Sequence, residues 1–457
     1  MSKSGNQFLD FTAPGIANLK PYVPGKPVSE LERELGIKDS IKLASNENPL
    51  GCSERVRAAI AAEWPQLSRY PDGGGFALRN ALAKKHAIDP VCITLGNGSN
   101  DVLDIIARVF LSAGYESLFS QYAFAVYPIS SQAVGASLRV APALDYGHDL
   151  EALLNMVGEK TRVVWIANPN NPTGTWVNGE ELENFIAGVP ANVIVVVDEA
   201  YIEYVDKPGF PDASKWLDKY PNLIVTRTFS KVYGLASLRI GYGLSHPDVA
   251  DLLNRVRQPF NANSLAMAAA LAALEDDAFV KRSVEVNRSG MVQLTAGFEQ
   301  LGLAYIPSAG NFVTVDLGRP ADAIDQALLR AGCITRPVAA YGLPNHLRIT
   351  VGLADENARF LSTLGSAYAQ FGRYDESIEA LGSVEKLGPR GGSTHEFWLA
   401  FALAKRNAEG DLDEARNRFQ QAVTRMELNA PGRTQLVRLR TLVEPMLANP
   451  GTSANSD

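Results

Sequence analysis

The sequence predicts an α/β protein with a large domain on a mostly parallel sheet, a small α+β domain and an all-α helical extension. Three observations lead there. TRVVWIA (161–167), NVIVVVDEA (192–200) and NLIVTRT (222–228) are short, unbroken apolar runs. Runs of this kind form strands buried on both faces of a parallel sheet. Helical patterns such as GEELENFIAGV stand between them, and such alternation places helices on both faces. Beyond about residue 362 the apolar runs stop, and alanine, glutamate and arginine become frequent, which suits packed helices.

In chain order, residues 1–50 read as an irregular N-terminal arm, with LKPYVPGKP marked as extended by its prolines. Residues 51–280 form the large domain. Residues 281–362 form the small one: a helix near 281–301, the strand-like GNFVTVDL, a helix near 321–331 and the strand-like HLRITVG. Residues 363–447 carry a repeat. Leu364, Gly365, Tyr368, Gly372, Tyr374, Ser377, Leu381, Val384 and Pro389 match tetratricopeptide spacing. That pattern needs small residues where two antiparallel helices approach and a proline to end the second. GDLDEARNRFQQAV (410–423) repeats the second half, with Ala415 placed 38 positions after Ser377. This is a repeat of about 34 residues with a short insertion, RGGST. RTQLVRLRTLVEPML supplies a capping helix, and the tail 448–457 is expected to be disordered.

A chain of 457 residues, 46% hydrophobic and 20% charged, has the balance of a globular protein of two or three domains. Its net charge of −7 argues against nucleic acid as a partner, because phosphate binding needs a basic face. Cys52, Cys92 and Cys333 are far apart and form no CxxC or Cys/His spacing. Neither a disulfide framework nor a metal site is expected. The N-terminus lacks an apolar core of signal-peptide length, and no run approaches a membrane span. A reducing cytoplasm is the expected location.

Doubly wound sheets bind ligands beyond the C-termini of their strands, and three strands here end in chemically useful residues. NPNNPTG (168–174) offers Asn171. VIVVVDEAY carries Asp198 out of an apolar run, with Tyr201 three positions on. A buried carboxylate there needs a partner. NLIVTRT leads into TFSKVYGLASLRIGY, where Lys231 stands among apolar and hydroxyl residues, including Thr228 and Ser230. Lysine is ordinarily a surface residue, so this placement suits an amine kept for covalent chemistry. Upstream, TLGNGSNDVLDIIARVF is a strand end, a glycine-bearing loop and a helix start. Backbone N–H groups at Gly98, Ser99 and Asn100 would cradle an anion there.

One ligand uses all of these pieces. Pyridoxal 5′-phosphate needs a lysine for its aldehyde, a carboxylate for its pyridinium nitrogen, donors for its phenolate and a cradle for its phosphate. Lys231 takes the aldehyde and, once displaced by substrate, moves the α-proton. Asp198 keeps the ring nitrogen protonated, and Asn171 and Tyr201 bond the phenolate. Ser99, Asn100, Ser230 and Arg239 hold the phosphate, with Thr228 beside them.

LKPY, LASNENPLG, SRYPDGGG, GNGSND, NPNNPTG, VDEAYIEY, TFSKVYGLASLRIGY and LRITVG follow one another over about residues 12–362. In content and order they resemble the fold type I aminotransferases, and most closely the histidinol-phosphate aminotransferases. The resemblance implies a homodimer with sites at the subunit interface, and transamination of L-histidinol phosphate with 2-oxoglutarate. It implies that Tyr70 reaches the phosphate of the neighbouring subunit's cofactor, and that Tyr22 and Asn46 lie near the substrate. It also implies that Phe124 stacks on the pyridine ring. QYAFAVYP departs from the family's commoner proline-led version, which keeps Tyr122 as the alternative to Phe124. Arg348 and Arg336 are the expected anchors for the substrates' anions, since a planar guanidinium serves carboxylate and phosphate alike. An aromatic-amino-acid aminotransferase and a phosphothreonine decarboxylase share this cofactor and are the alternatives. A further alternative is an interaction protein whose repeats matter and whose enzyme domain is vestigial. A protein partner for the repeats is compatible with all of these readings.

Overall fold

The computed structural model describes residues 8–13, 15–370, 372–375, 377–378, 381–382, 393–429 and 434–448. Its large sheet has seven strands: β1 (Ile93–Gly96), β2 (Glu116–Ser120), β3 (Ser137–Ala141), β4 (Thr161–Ala167), β5 (Ile194–Asp198), β6 (Leu223–Thr228) and β7 (Gly241–Ser245). Across the sheet they run β1-β7-β6-β5-β4-β2-β3. β7 pairs antiparallel with both neighbours, and the remaining pairs are parallel. The apolar runs need burial on both faces, and they obtain it. Val164, Ile166, Val195 and Val197 enter one core, while Val163, Trp165, Ile194 and Val196 enter the other. Each such side chain contributes roughly 1.5–3 kcal/mol on full burial. Helix α1 (Ser99–Phe110) covers one face through Val102, Leu103, Ile105 and Ile106.

Helix α2 (Asp277–Gln300) leads into the small domain, its start capped by the Asp276 carboxylate accepting from Phe279 N–H. The small sheet contains β8 (Tyr305–Ile306), β9 (Phe312–Asp316), β10 (Arg336–Val338) and β11 (Leu343–Thr350). Its order is β8-β9-β11-β10, antiparallel throughout.

Two expectations need correction. The N-terminal segment is not irregular throughout. Residues Val28–Leu35 form a helix behind Pro27, and Leu31 packs on Ala44, Leu329 and Ile334. Ile41–Lys42 then pairs in parallel with Cys333–Ile334. The prolines that marked the segment as extended end before SELEREL, whose residues favour helix. The other correction concerns the boundary placed at residue 362. Helix α3 (Ala354–Gln370) runs through it unbroken. Phe360, Leu361, Leu364, Ala367 and Tyr368 all pack into the small-domain core with Phe298 and Leu347, so one apolar stripe holds both halves of the helix in place.

Beyond α3 lie α4 (Ser393–Arg406), α5 (Asp411–Asn429) and α6 (Thr434–Ala448), with α4 packed on α3, α5 and α6. Glu396, fully buried, receives Arg418 at 3.4 Å and Arg425 at 3.1 Å. Ser362 Oγ lies 3.2 Å from His395 Nδ1, joining α4 to α3. Val384, Pro389, residues 390–392 of the expected insertion and the tail beyond Ala448 lie outside the described residues.

Candidate active site

The carboxyl ends of β4, β5 and β6 meet at one cleft, which the first turn of α1 and the β10–β11 pair also line. Lys231 stands three residues beyond β6. Its Nζ donates to Ser45 O at 3.2 Å and sits 5.6 Å from the Tyr201 ring centroid. Burial, with the Arg348 guanidinium nearby, pulls the Lys231 amine down to about 7. The neutral amine, the form that attacks a carbonyl, is therefore accessible near neutral pH.

Asp198 ends β5 and is 6% exposed. Its Oδ2 accepts the Tyr127 O–H at 2.9 Å, and its Oδ1 accepts the Thr226 O–H at 2.9 Å. Burial raises its carboxyl above the usual range, while these two bonds oppose the rise.

Neighbours set the donor polarity of Tyr201 and Asn171. Asn46 Nδ2 donates to Tyr201 Oη at 2.9 Å, which leaves the phenol's proton to donate elsewhere. Burial pushes that phenol up to about 12, so it stays protonated. Arg348 Nη1 donates to Asn171 Oδ1, which leaves Asn171 Nδ2 as a donor. Two donors on this side of the cleft suit an anionic oxygen. Asn46 adopts a left-handed backbone conformation (φ 55°), which asparagine tolerates well. Its backbone N–H bonds Thr350 Oγ1 at 2.8 Å, and its carbonyl accepts from Asn311 Nδ2 at 3.0 Å.

Ser99 opens α1 and lines the cleft with Asn100. Gly98 lies just before them at φ 81°. A Cβ there would sit 2.3 Å from Arg239 Nη2, and one on Gly241 would sit 2.3 Å from Ser99 N. Only glycine at both positions lets the guanidinium and the strand approach the helix start this closely. Arg239 Nη1 reaches Ser230 Oγ at 3.4 Å, and Thr228 Oγ1 accepts from Ser230 N at 3.1 Å. The result is a pocket of N–H, hydroxyl and guanidinium donors at a helix N-terminus, which suits a phosphate.

At the other end stand Tyr22, Arg336 and Arg348. Arg336 and Arg348 are cross-strand partners in β10–β11, which brings the two cations to one side. Arg348 Nη2 donates to Ala44 O at 2.7 Å, and Arg336 Nη2 donates to Val23 O at 2.7 Å. Phe124 also lines the cleft, whereas Tyr122 turns to Tyr146, with ring centroids 5.9 Å apart. Tyr70 is not at the cleft of its own chain; it is 83% exposed and stacks on Phe260 at 4.8 Å. The sequence reading missed Tyr127, Thr226, Asn311 and Thr350. Thr226 was findable, because it lies on the face of β6 that meets Asp198 in register. Tyr127 left no local signal, since it meets Asp198 across 71 positions of chain.

These side chains fit pyridoxal 5′-phosphate: an amine, a carboxylate, two donors and an anion cradle surround one space. The profile of the aminotransferase class I and II family matches residues 38–364. A histidinol-phosphate aminotransferase 2 of Pseudomonas fluorescens is 60% identical over 365 residues, covering 79% of this chain and 99% of that one. A histidinol-phosphate aminotransferase 1 of Nitrosococcus oceani is 54% identical over 364 residues, covering 80% and 98%. The crystal structure of the Sinorhizobium meliloti histidinol-phosphate aminotransferase, solved with pyridoxal-5′-phosphate, superposes with a TM-score of 0.73 at 32% identity. It covers 79% of this chain and 98% of that one. Sequence, sheet order and cleft thus agree: the chain belongs to the class I and II aminotransferases and, within them, to the histidinol-phosphate aminotransferases.

Proposed function

We propose that the chain transfers the amino group of L-histidinol phosphate to 2-oxoglutarate, giving imidazole acetol phosphate and L-glutamate, a step of histidine biosynthesis. The observation that carries this reading is the convergence of Lys231, Asp198 and Arg348 on one cleft in a chain this similar to histidinol-phosphate aminotransferases. When bound, pyridoxal 5′-phosphate supplies an electron sink for the charge that develops at the substrate's α-carbon. Lys231 Nζ, whose neutral form is accessible near pH 7, takes and returns the α-proton. Asp198 would hold the proton on the pyridine nitrogen, and Asn171 Nδ2 and Tyr201 Oη would donate to the phenolate. Ser99, Asn100, Ser230 and Arg239 would hold the phosphate, with Phe124 available to the ring. Arg348, with Arg336 beside it, binds the phosphate of one substrate and a carboxylate of the other.

Tyr70 belongs to the neighbouring subunit's site in this reading. Its exposure, with that of Phe260 on which it stacks and of Trp64, Leu67 and Phe76 in the same stretch of chain, supports a second copy covering this part of the surface. The helices α3–α6 are read as tetratricopeptide-like pairs with a cap, available to a protein partner. Among the described residues no helix is long and apolar enough to cross a membrane, and a cytoplasmic location accords with that. The test is paired kinetics with histidinol phosphate, phenylalanine and tyrosine as amino donors to 2-oxoglutarate. Histidinol phosphate should give a kcat/KM at least about tenfold above the others, the discrimination expected where replacing its imidazole and phosphate by a phenyl ring and a carboxylate costs about 1.4 kcal/mol of contacts. Equal or higher values for the aromatic amino acids would replace this reading with an aromatic aminotransferase.

A further inference from the structure

We propose that Tyr127 and Thr226 are positioning residues that hold the Asp198 carboxylate toward the pyridine nitrogen by two neutral hydrogen bonds, with the nearby arginine kept on the opposite face. The inference rests on the pyridoxal 5′-phosphate reading of the cleft.

The adjacent acids at the end of β5 have different partners. Asp198 pairs in register with Thr226. Successive side chains on a strand point to opposite faces, so Glu199 and Arg227 meet on the other side. There Arg227 Nη2 lies 2.7 Å from Glu199 Oε2 and also bonds Asp212. On the cleft side, among the described residues, the Asp198 carboxylate receives only hydroxyls, from Thr226 at Oδ1 and Tyr127 at Oδ2, each at 2.9 Å. Strand alternation thereby delivers the cation to Glu199 and withholds it from Asp198.

This sorting matters for chemistry. An arginine on Asp198 would neutralise the charge that should favour a protonated ring nitrogen. Two hydroxyls instead fix the carboxylate's rotation and leave its charge to the ligand. Each carboxylate oxygen has two lone pairs, so one bond at each leaves room for a ring N–H. Tyr127 is itself held firmly. Its ring stacks on Trp165 with centroids 5.1 Å apart, and Trp165 Nε1 donates to Ser117 Oγ at 2.8 Å. Burial and the Asp198 charge keep the Tyr127 phenol protonated, and hence a donor. Lys231 and Tyr201 are the other titratable groups acting on Asp198 or acted on by it, and neither bonds its carboxylate.

The test uses Tyr127→Phe, which keeps the ring and its stacking, and Thr226→Val, which keeps the shape. The Asp198 carboxyl is titrated by 13C NMR in the apoprotein, and pyridoxal 5′-phosphate affinity is measured by fluorescence titration. Each variant should raise the carboxyl's midpoint. Each should weaken cofactor binding about five- to tenfold, within the usual net loss for one intramolecular hydrogen bond. The kcat should fall by a similar factor, with the KM for amino donor little changed. In an Asp198→Asn background, Tyr127→Phe should shift affinity by less than about twofold, because it acts through the carboxylate. A wild-type carboxyl midpoint in both variants would overturn the inference, as would a full-size effect in the Asp198→Asn background. Failure of wild-type protein to bind the cofactor would overturn the proposed function, and the apoprotein titration would still decide the positioning role.

Discussion

Ending the chain at residue 365 and ending it at residue 370 should have very different consequences. The first cut falls inside α3 and removes Ala367 and Tyr368, which are 1% and 0% exposed within the small-domain core. Losing a fully buried aromatic side chain costs about 3–5 kcal/mol, a large part of the roughly 5–15 kcal/mol that holds a domain folded. The shorter chain should melt on the order of 5–10 °C below the longer one. The longer chain keeps the whole stripe and loses the contacts of α3 with α4 and those of Tyr368 with Arg373. Every residue placed at the cleft lies at or before Arg348. The 370-residue chain should therefore keep a kcat for histidinol phosphate within about twofold of the full chain, since no transition-state contact is removed. Thermal melts of both truncations, with steady-state kinetics on the soluble, cofactor-loaded protein, check both statements. Equal melting midpoints would show that Tyr368 does not belong to the catalytic body. A large kcat loss in the 370-residue chain would show that α4–α6 take part in catalysis or gating.

Lys231 titrates at about 7 when folded against 10.5 in its ordinary state, so the unfolded chain binds the extra proton between these values and apoprotein stability rises with pH across that window. Lys231→Met should remove the slope. It should be more stable than wild type near pH 6, with the advantage shrinking toward pH 10; urea midpoints that shift in parallel for both proteins would contradict this. Lys231→Met should also have no measurable transamination, and turnover at the wild-type rate would remove the amine from the mechanism. Arg348→Lys cannot present two parallel donors to an anion while bonding Asn171 and Ala44 O. Its kcat/KM should fall about 10–100-fold for both histidinol phosphate and 2-oxoglutarate, and a loss confined to one substrate would rule out a shared anchor. Mixing Tyr70→Phe with Lys231→Ala should yield heterodimers with one intact site and activity above the sum of the parents. Mixtures that never exceed that sum would show the sites are not shared.

Local chemistry in the sequence determined the large sheet, because unbroken runs such as TRVVWIA have no stable place except between two apolar layers. It also determined which residues end those strands, and hence Asn171, Asp198 and Lys231 as one group. What the sequence could not show was which partners these groups would find. Tyr127 reaches Asp198 across 71 positions, and Asn46 reaches Thr350 across 304. No local pattern encodes contacts of that span, because they exist only once the sheet and the small domain have packed. The orientation of the Asn171 amide, the proton left on Tyr201 and the lowered Lys231 amine all follow from those contacts. The unbroken α3 was decided in the same way, by Tyr368 buried in the small-domain core, whereas the helix at Val28–Leu35 follows from helix-favouring residues that begin where the prolines end. Sequence determined the kinds of groups available and the strands that carry them; tertiary packing decided their hydrogen-bond direction and charge, because both depend on neighbours that only burial brings within reach.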